Sequence, residues 1–253
     1  MSDAIYRVQR YRDILLEELN CCSRYKKASK DILIVVHDQL PFLKRCISSI
    51  RHNTEDYRIL LWDNASNQET SNWIKSQSDI VCVRSEENLG FIKPNNRLAE
   101  ISDADYIVLL NSDTEVIQDW DKAMVSQIQQ YDYDQVGYLG GYLDTNGKGI
   151  SFGFGNQVDY IPAWCVCLPR RTYLKHGLFD ENNLVFAYCE DSDLSLRIIE
   201  SGGKIYALHL GLCIHHENAT INEVSKFMDC ETSYKKNHEF IKFRHGNKLK
   251  SIS

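Results

Sequence analysis

From Asp31 onward, short apolar runs alternate with amphipathic ones. "DILIVV" (31–36) is continuous, β-branched and short, the pattern of a strand buried on both faces. "PFLKRCISSIRH" (41–52) follows; Pro41 suits a first helical turn, and Phe42, Cys46 and Ile50 share a face. "YRILLWD" (57–63) predicts a second strand and "NQETSNWIKSQ" (67–77) a short helix. "IVCVR" (80–84) predicts a third strand, "FIKPNNRLAEIS" (91–102) a partly helical stretch around Pro94, and "YIVLL" (106–110) a fourth strand. Such alternation implies parallel strands with right-handed crossovers. The first half therefore predicts a doubly wound α/β unit, a mostly parallel sheet with helices on both faces.

The pattern changes after about residue 130. "QVGYLGGYLD" (135–144) and "NQVDYIPAWCVCLP" (156–169) each read as a strand, separated by the glycine-rich "TNGKGISFGFG". "RRTYLKHG" (170–177) reads as a short helix, "LSLRIIESGG" (194–203) as a helix closed by glycines, and "KIYALHLG" (204–211) as a strand. Residues 1–30 show helical spacing of Ile5, Val8, Leu15 and Leu19, and 221–253 reads as a helical tail ending in "KFRHGNKLK". The expected organisation is one α/β domain over 31–220 between an N-terminal amphipathic helix and a basic C-terminal tail.

Composition narrows the class. A net charge of -6 and a pI near 5.8 do not suit non-specific nucleic-acid binding. The apolar runs are too short to span a bilayer, and "MSDAIYRVQRYRD" has no apolar signal core. A soluble, cytoplasmic protein is expected, with peripheral membrane contact through the basic tail as an option. None of the nine cysteines forms a CxxC pair, so they read as reduced, mostly core thiols.

Ligands of an open α/β sheet sit beyond the carboxyl ends of its strands. His37 and Asp38, Asp63, "EENLG" and "NSDTE" occupy those ends. Each alone is an ordinary turn signal; together they line one rim. No GxGxxG or GxxxxGK[ST] follows a strand, so a phosphorylated ligand requires another grip, such as acidic side chains with a divalent cation. Further on, "FAYCEDSDLSLR" sets Glu190, Asp191 and Asp193 at a helix start. Capping explains one or two of the three.

The ordered set "ILIVVHD", "LLWDNAS", "ENLGF…NN", "YIVLLNSDTEV", "LFDENNLVFAYCEDSDLSLR" and "IHHENAT" resembles family 2 glycosyltransferases with a GT-A fold, in particular their rhamnosyltransferase-like branch, over about 31–220. The resemblance implies inverting transfer of a sugar from a nucleoside-diphosphate-sugar (UDP- or dTDP-linked) to an acceptor hydroxyl, with Mn²⁺ or Mg²⁺. It places Val36, His37, Asp38 and Asp63 at the nucleotide, with Asn88, Asn95, Asn111 and Ser112 also on the donor side. Asp113 and His215 would hold the cation, with His216 as the rival histidine. Asp191 would be the general base and Glu190 its partner; Asp193 would cap the helix. Trp164, Phe186 and Tyr188 would wall the acceptor. The competing expectations are a non-catalytic nucleotide-sugar-binding protein of this fold and a nucleotidyltransferase, the latter disfavoured because "HDQLPFLK" carries no glycine-rich basic loop.

Overall fold

The computed structural model of the protein describes residues 28–209, 211–216 and 230–249. The expected N-terminal helix lies outside the described residues but for its last three positions, and Lys30 already opens the first strand. Strands β1 (Lys30–Val36), β2 (Tyr57–Asn64), β3 (Ile80–Ser85) and β4 (Tyr106–Leu110) form where the apolar runs lie. Helices α1 (Leu40–Asn53), α2 (Gln68–Lys75) and α3 (Ile92–Ile101) connect them. Next come β5 (Thr114–Val116), α4 (Trp120–Tyr131), β6 (Gln135–Tyr138), β7 (Gly140–Leu143), β8 (Gly149–Gly153) and β9 (Cys165–Pro169). The chain continues through α5 (Arg170–His176), α6 (Glu190–Glu200), β10 (Ile205–Leu208), β11 (Cys213–His215) and α7 (Cys230–Leu249).

The central sheet is seven-stranded, in the order β10-β6-β9-β4-β1-β2-β3. β9 pairs antiparallel with β4 and β6; the other pairings are parallel. The strand order switches sides at β1 and β4, which opens a crevice at their carboxyl ends. β9 starts at that rim, with Cys165 opposite Leu110, and therefore runs backwards.

Both faces of the sheet are covered, as the unbroken apolar runs require. Ile32, Ile34 and Val36 of β1 pack with Leu43, Ile47 and Ile50 of α1 and with Trp120 and Met124 of α4. Leu33 points the other way, to Ile92, Leu98 and Ile101 of α3 and Leu194 and Ile198 of α6.

The second half differs from the sequence pattern in informative places. Residues 135–144 form two strands, because Leu139 takes a left-handed φ of 67° and turns β7 out of the central sheet to pair with β8. Only Cys165–Pro169 of the 156–169 run joins the sheet; Tyr160 makes an isolated bridge to Gly141, and Pro162, which has no N–H, faces the crevice. The short pair β5–β11 has no counterpart in the apolar pattern.

A buried ion pair fastens the sheet's amino edge. Arg58 donates to both carboxylate oxygens of Asp31 at 2.6 Å, and Ser102 Oγ donates to Asp31 at 2.7 Å. Asp31 is wholly buried. Arg58 also pairs with Asp103 at 2.5 Å, so Asp31→Ala would remove the more buried of two carboxylates and the acceptor of Ser102 Oγ, and is expected to cost about 2–3 kcal/mol in urea unfolding. A loss below about 1 kcal/mol, the range of exposed pairs, would contradict this.

Candidate active site

The carboxyl ends of β1, β2 and β4 open into a cavity of about 380 Å³. Its polar wall carries His37, Asn64, Asn111, Ser112 and Asp113, with Asn88 and Gly90 from the loop after β3. Its opposite wall is mostly apolar: Pro162, Ala163 and Trp164 before β9, and Phe186, Ala187 and Tyr188 before α6. Glu190 and Asp191 end that second wall.

One corner is built by the β5–β11 pair. Its register sets His215 opposite Thr114, so the ring reaches back to Asp113. His215 Nε2 lies 3.2 Å from Asp113 Oδ1 and 3.3 Å from Asn111 Nδ2. Trp164 stacks flat on the imidazole at 4.9 Å and 5°. His216 points elsewhere, with Nε2 2.7 Å from Glu115 Oε1, so His215 is the histidine of the pair that faces the cavity. Asn111 Oδ1 is buried without a hydrogen-bond partner.

No group of three His, Cys, Asp or Glu able to hold a metal occurs among the described residues. The corner does supply one carboxylate, one imidazole and an orphaned amide oxygen. That set fits a hard cation that takes its remaining ligands from phosphate oxygens and water, the usual habit of Mg²⁺ at nucleotide sites.

Where the stretch before α6 lines the cavity, the backbone is strained. Phe186, Tyr188 and Cys189 have φ of 60°, 76° and 65°, three left-handed residues within four positions and none of them glycine. The Phe186 carbonyl accepts from Phe91 N at 2.7 Å and Ile92 N at 3.2 Å. Gly90 permits this approach: it has φ +80°, and a Cβ there would stand 2.5 Å from the Phe186 oxygen. The turn delivers Glu190 and Asp191 to the first turn of α6, facing the cavity.

Glu190 is buried, and its Oε2 has no hydrogen-bond partner. Burial first, then the Asp191 charge beside it, pushes the Glu190 carboxyl up to about 8. Burial also raises Asp191, opposed by the Ser192 N–H that donates to its Oδ1 at 2.7 Å. Two adjacent desolvated carboxyls hold one proton between them near neutrality.

Asp193 does not cap the helix as the sequence suggests. The N-cap position is Cys189, without a side-chain cap, and the Asp193 carboxylate is turned inward and fully buried. It accepts from Arg197 Nε at 2.7 Å, His245 Nε2 at 3.0 Å and Arg244 at 3.1 Å. The basic tail is thus folded onto α6, and Arg244 also pairs with Asp180 at 2.8 Å.

Four donor-side residues named by the resemblance lie outside the cavity wall. Val36 packs in the core; the strand's alternation turns Val35 to the cavity instead. Asp38 accepts from Asn67 N at 2.6 Å in the turn beyond β1. Asp63 is buried, paired with Arg84 and accepting from Ser66 N at 2.9 Å. Asn95 is buried and donates to Phe91 O at 2.9 Å inside α3.

The residue the sequence reading missed is Asn64. Its amide donates to Asn88 Oδ1 at 2.7 Å and Gly90 O at 2.9 Å, and its Oδ1 accepts from Leu89 N at 2.8 Å. The period of two along β2 was the available signal, since neighbours in a strand face opposite ways.

Comparison with known proteins agrees with this geometry. Residues 31–150 match the model of glycosyl transferase family 2. No curated protein matches the chain in sequence. Among solved structures, GalNAc-T7 with UDP, GalNAc and Mn²⁺ superposes with a TM-score of 0.63 at 16% identity, covering 75% of this chain and 44% of that one. Residues 1–349 of S. aureus TarS with UDP-GlcNAc give a TM-score of 0.56 at 12% identity, covering 73% and 57%. The chain thus spans about half the length of these neighbours. The fold and its crevice are those of GT-A proteins. The family 2 match covers residues 31–150, just under half of the chain, and that segment forms the polar wall of the cavity.

The Asp193 cluster gives a pH test. Burial alone would raise that carboxyl, but His245, Arg197 and Arg244 together hold it below the ordinary range. A lowered folded value means the stabilisation is complete above the ordinary Asp value of about 4 and is lost as pH falls through the folded one. Asp193→Asn is expected to lose about 3 kcal/mol at pH 7. In urea titrations the deficit should shrink by about pH 3. A deficit equal at both pH values would contradict the ion-pair account.

Proposed function

We propose that the protein is an inverting glycosyltransferase that moves a sugar from a nucleoside diphosphate to an acceptor hydroxyl. The observation that carries this reading is that one cavity gathers two chemical groups in its lining: the Asp113–His215 corner and the Glu190–Asp191 pair. A sugar held between them would have its leaving diphosphate at the first and the attacking hydroxyl at the second. The UDP in the GalNAc-T7 structure and the UDP-GlcNAc in the TarS structure make UDP-linked hexoses the first donors to try.

In this reading Asp113 and His215, with Asn111 Oδ1, hold a divalent cation such as Mn²⁺ or Mg²⁺. When bound, that ion stabilises the developing diphosphate charge. Trp164 keeps the His215 ring in plane. His37, Asn64 and Asn88 face the nucleotide, Ser112 lies beside its phosphates, and Asp63 acts from behind by fixing Arg84 and the Ser66 turn. Phe186 and Tyr188 flank the acceptor, since an aromatic face suits the apolar side of a sugar ring.

Asp191 takes the acceptor proton as its oxygen attacks the anomeric carbon, and a single in-line displacement inverts that centre. Glu190 keeps its proton at neutral pH because ionising both carboxyls in one desolvated site is unfavourable. It thereby leaves the charge on Asp191 and donates a hydrogen bond from its otherwise unpartnered end.

Asp191→Asn, nearly isosteric, is expected to lower kcat by about 10²–10⁴-fold with the donor Kd little changed. Turnover kept within about threefold of the parent would overturn the general-base role. The rate should also fall on the alkaline side as Glu190 loses its proton above about 8. Glu190→Gln retains a hydrogen donor but cannot titrate, so kcat/KM should lose that alkaline limb. An unaltered limb in Glu190→Gln would assign it to another group.

A further inference from the structure

The Glu190–Asp191 pair depends on a helix that touches neither carboxylate in the cavity. Asn237, on α7, is fully buried and does not line the cavity. The two N–H bonds of its Nδ2 are shared among three carbonyls, Val185 at 2.9 Å, Ala187 at 2.9 Å and Tyr188 at 3.0 Å. Its Oδ1 accepts from Val185 N at 2.9 Å. One side chain thus closes the hydrogen bonds of the strained turn that aims Glu190 and Asp191. From the other side the same turn is held by Phe91 and Ile92 through the Phe186 carbonyl.

α7 also meets the turn through Tyr234, edge-on to Tyr188 at 6.1 Å, and through the apolar cluster on which Cys189 packs; its polar grip on the rest of the protein lies elsewhere. Ile241 and Leu249 pack with Leu143 and Leu196. Arg244 and His245 reach Asp193, and His245 Nδ1 lies 2.9 Å from Glu200. Asn237 adds no bond of its own to that grip; its four hydrogen bonds go to 185–188 alone. The family match ends at residue 150, so this staple belongs to the part of the chain outside it.

We infer that Asn237 is a positioning residue for the acceptor side: it fixes the turn 185–189 so that the Glu190–Asp191 pair faces the acceptor hydroxyl. This rests on the glycosyltransferase reading above for its kinetic consequence, but not for its structural one. The strained left-handed residues persist only where their surroundings over-determine them. Without the amide, Val185, Ala187 and Tyr188 would lose buried partners for their carbonyls, and the turn would relax toward ordinary φ.

The experiment uses the full chain with Asn237→Ala, Asn237→Asp and, as a stability control, Arg244→Ala, which loosens α7 without touching the turn. Amide hydrogen exchange over 186–190, read without substrate, is expected to quicken by about tenfold or more in Asn237→Ala and Asn237→Asp. In the transfer assay both should raise the acceptor KM and lower kcat by about tenfold or more. UDP affinity in the presence of Mn²⁺ should stay within about twofold, and the alkaline limb should move. Arg244→Ala is expected to lower the melting temperature with kcat per folded molecule nearly unchanged. Exchange over 186–190 that matches the parent in a folded Asn237 variant overturns the positioning role, whether or not the parent transfers sugar. So does an Asn237→Ala protein that melts lower yet keeps the parent's kcat, acceptor KM and pH profile.

Discussion

The site turns on one short piece of backbone, residues 186–189, three of which, Phe186, Tyr188 and Cys189, are left-handed. Each such residue costs about 1–3 kcal/mol in isolation, so the run has to be imposed from outside. It is clamped between the Phe91 and Ile92 amides and the Asn237 side chain. Gly90 is the complement of this clamp, since any Cβ there would meet the Phe186 carbonyl. The turn leads directly into α6, whose first residues, Glu190 and Asp191, line the cavity.

The cavity itself follows from topology. Parallel strands bring every β1, β2 and β4 carboxyl end to one edge, and the switch in strand order parts the connections there. β9, arriving antiparallel, closes the edge with Trp164 and so supplies both the stacking partner of His215 and part of the apolar wall. The two walls have opposite character, one rich in amides, hydroxyl and carboxylate, the other in aromatic and aliphatic surface. That asymmetry suits a charged donor on one side and a ring with an apolar face on the other.

The first half of the fold was legible because β1 to β4 are buried on both faces and their helices alternate with them. That the strand ends gather at one cavity was legible for the same reason. Finer placement was not. Whether Val35 or Val36 meets the cavity is a matter of strand parity, which a continuous apolar run conceals. His215 is separated from His216 by the β5–β11 register, a pairing of short strands with no apolar signature. Asp193 looks like a cap in sequence because its partners His245 and Arg244 lie 52 and 51 residues away. Asn237 carries no local signal at all; a polar residue in a mostly polar helix reads as solvent-facing until α7 is seen against the turn.

In the proposed function the Asp113–His215 corner is an incomplete cation site, finished by a diphosphate. The most direct test is a calorimetric titration of UDP into the protein with and without Mn²⁺, repeated for Asp113→Asn. The corner offers too few ligands to hold either partner well alone, so each should tighten the other by the same factor, about tenfold or more. In Asp113→Asn that mutual gain should vanish. UDP binding that ignores Mn²⁺ in the parent, or a gain that survives in Asp113→Asn, would contradict the donor site described here.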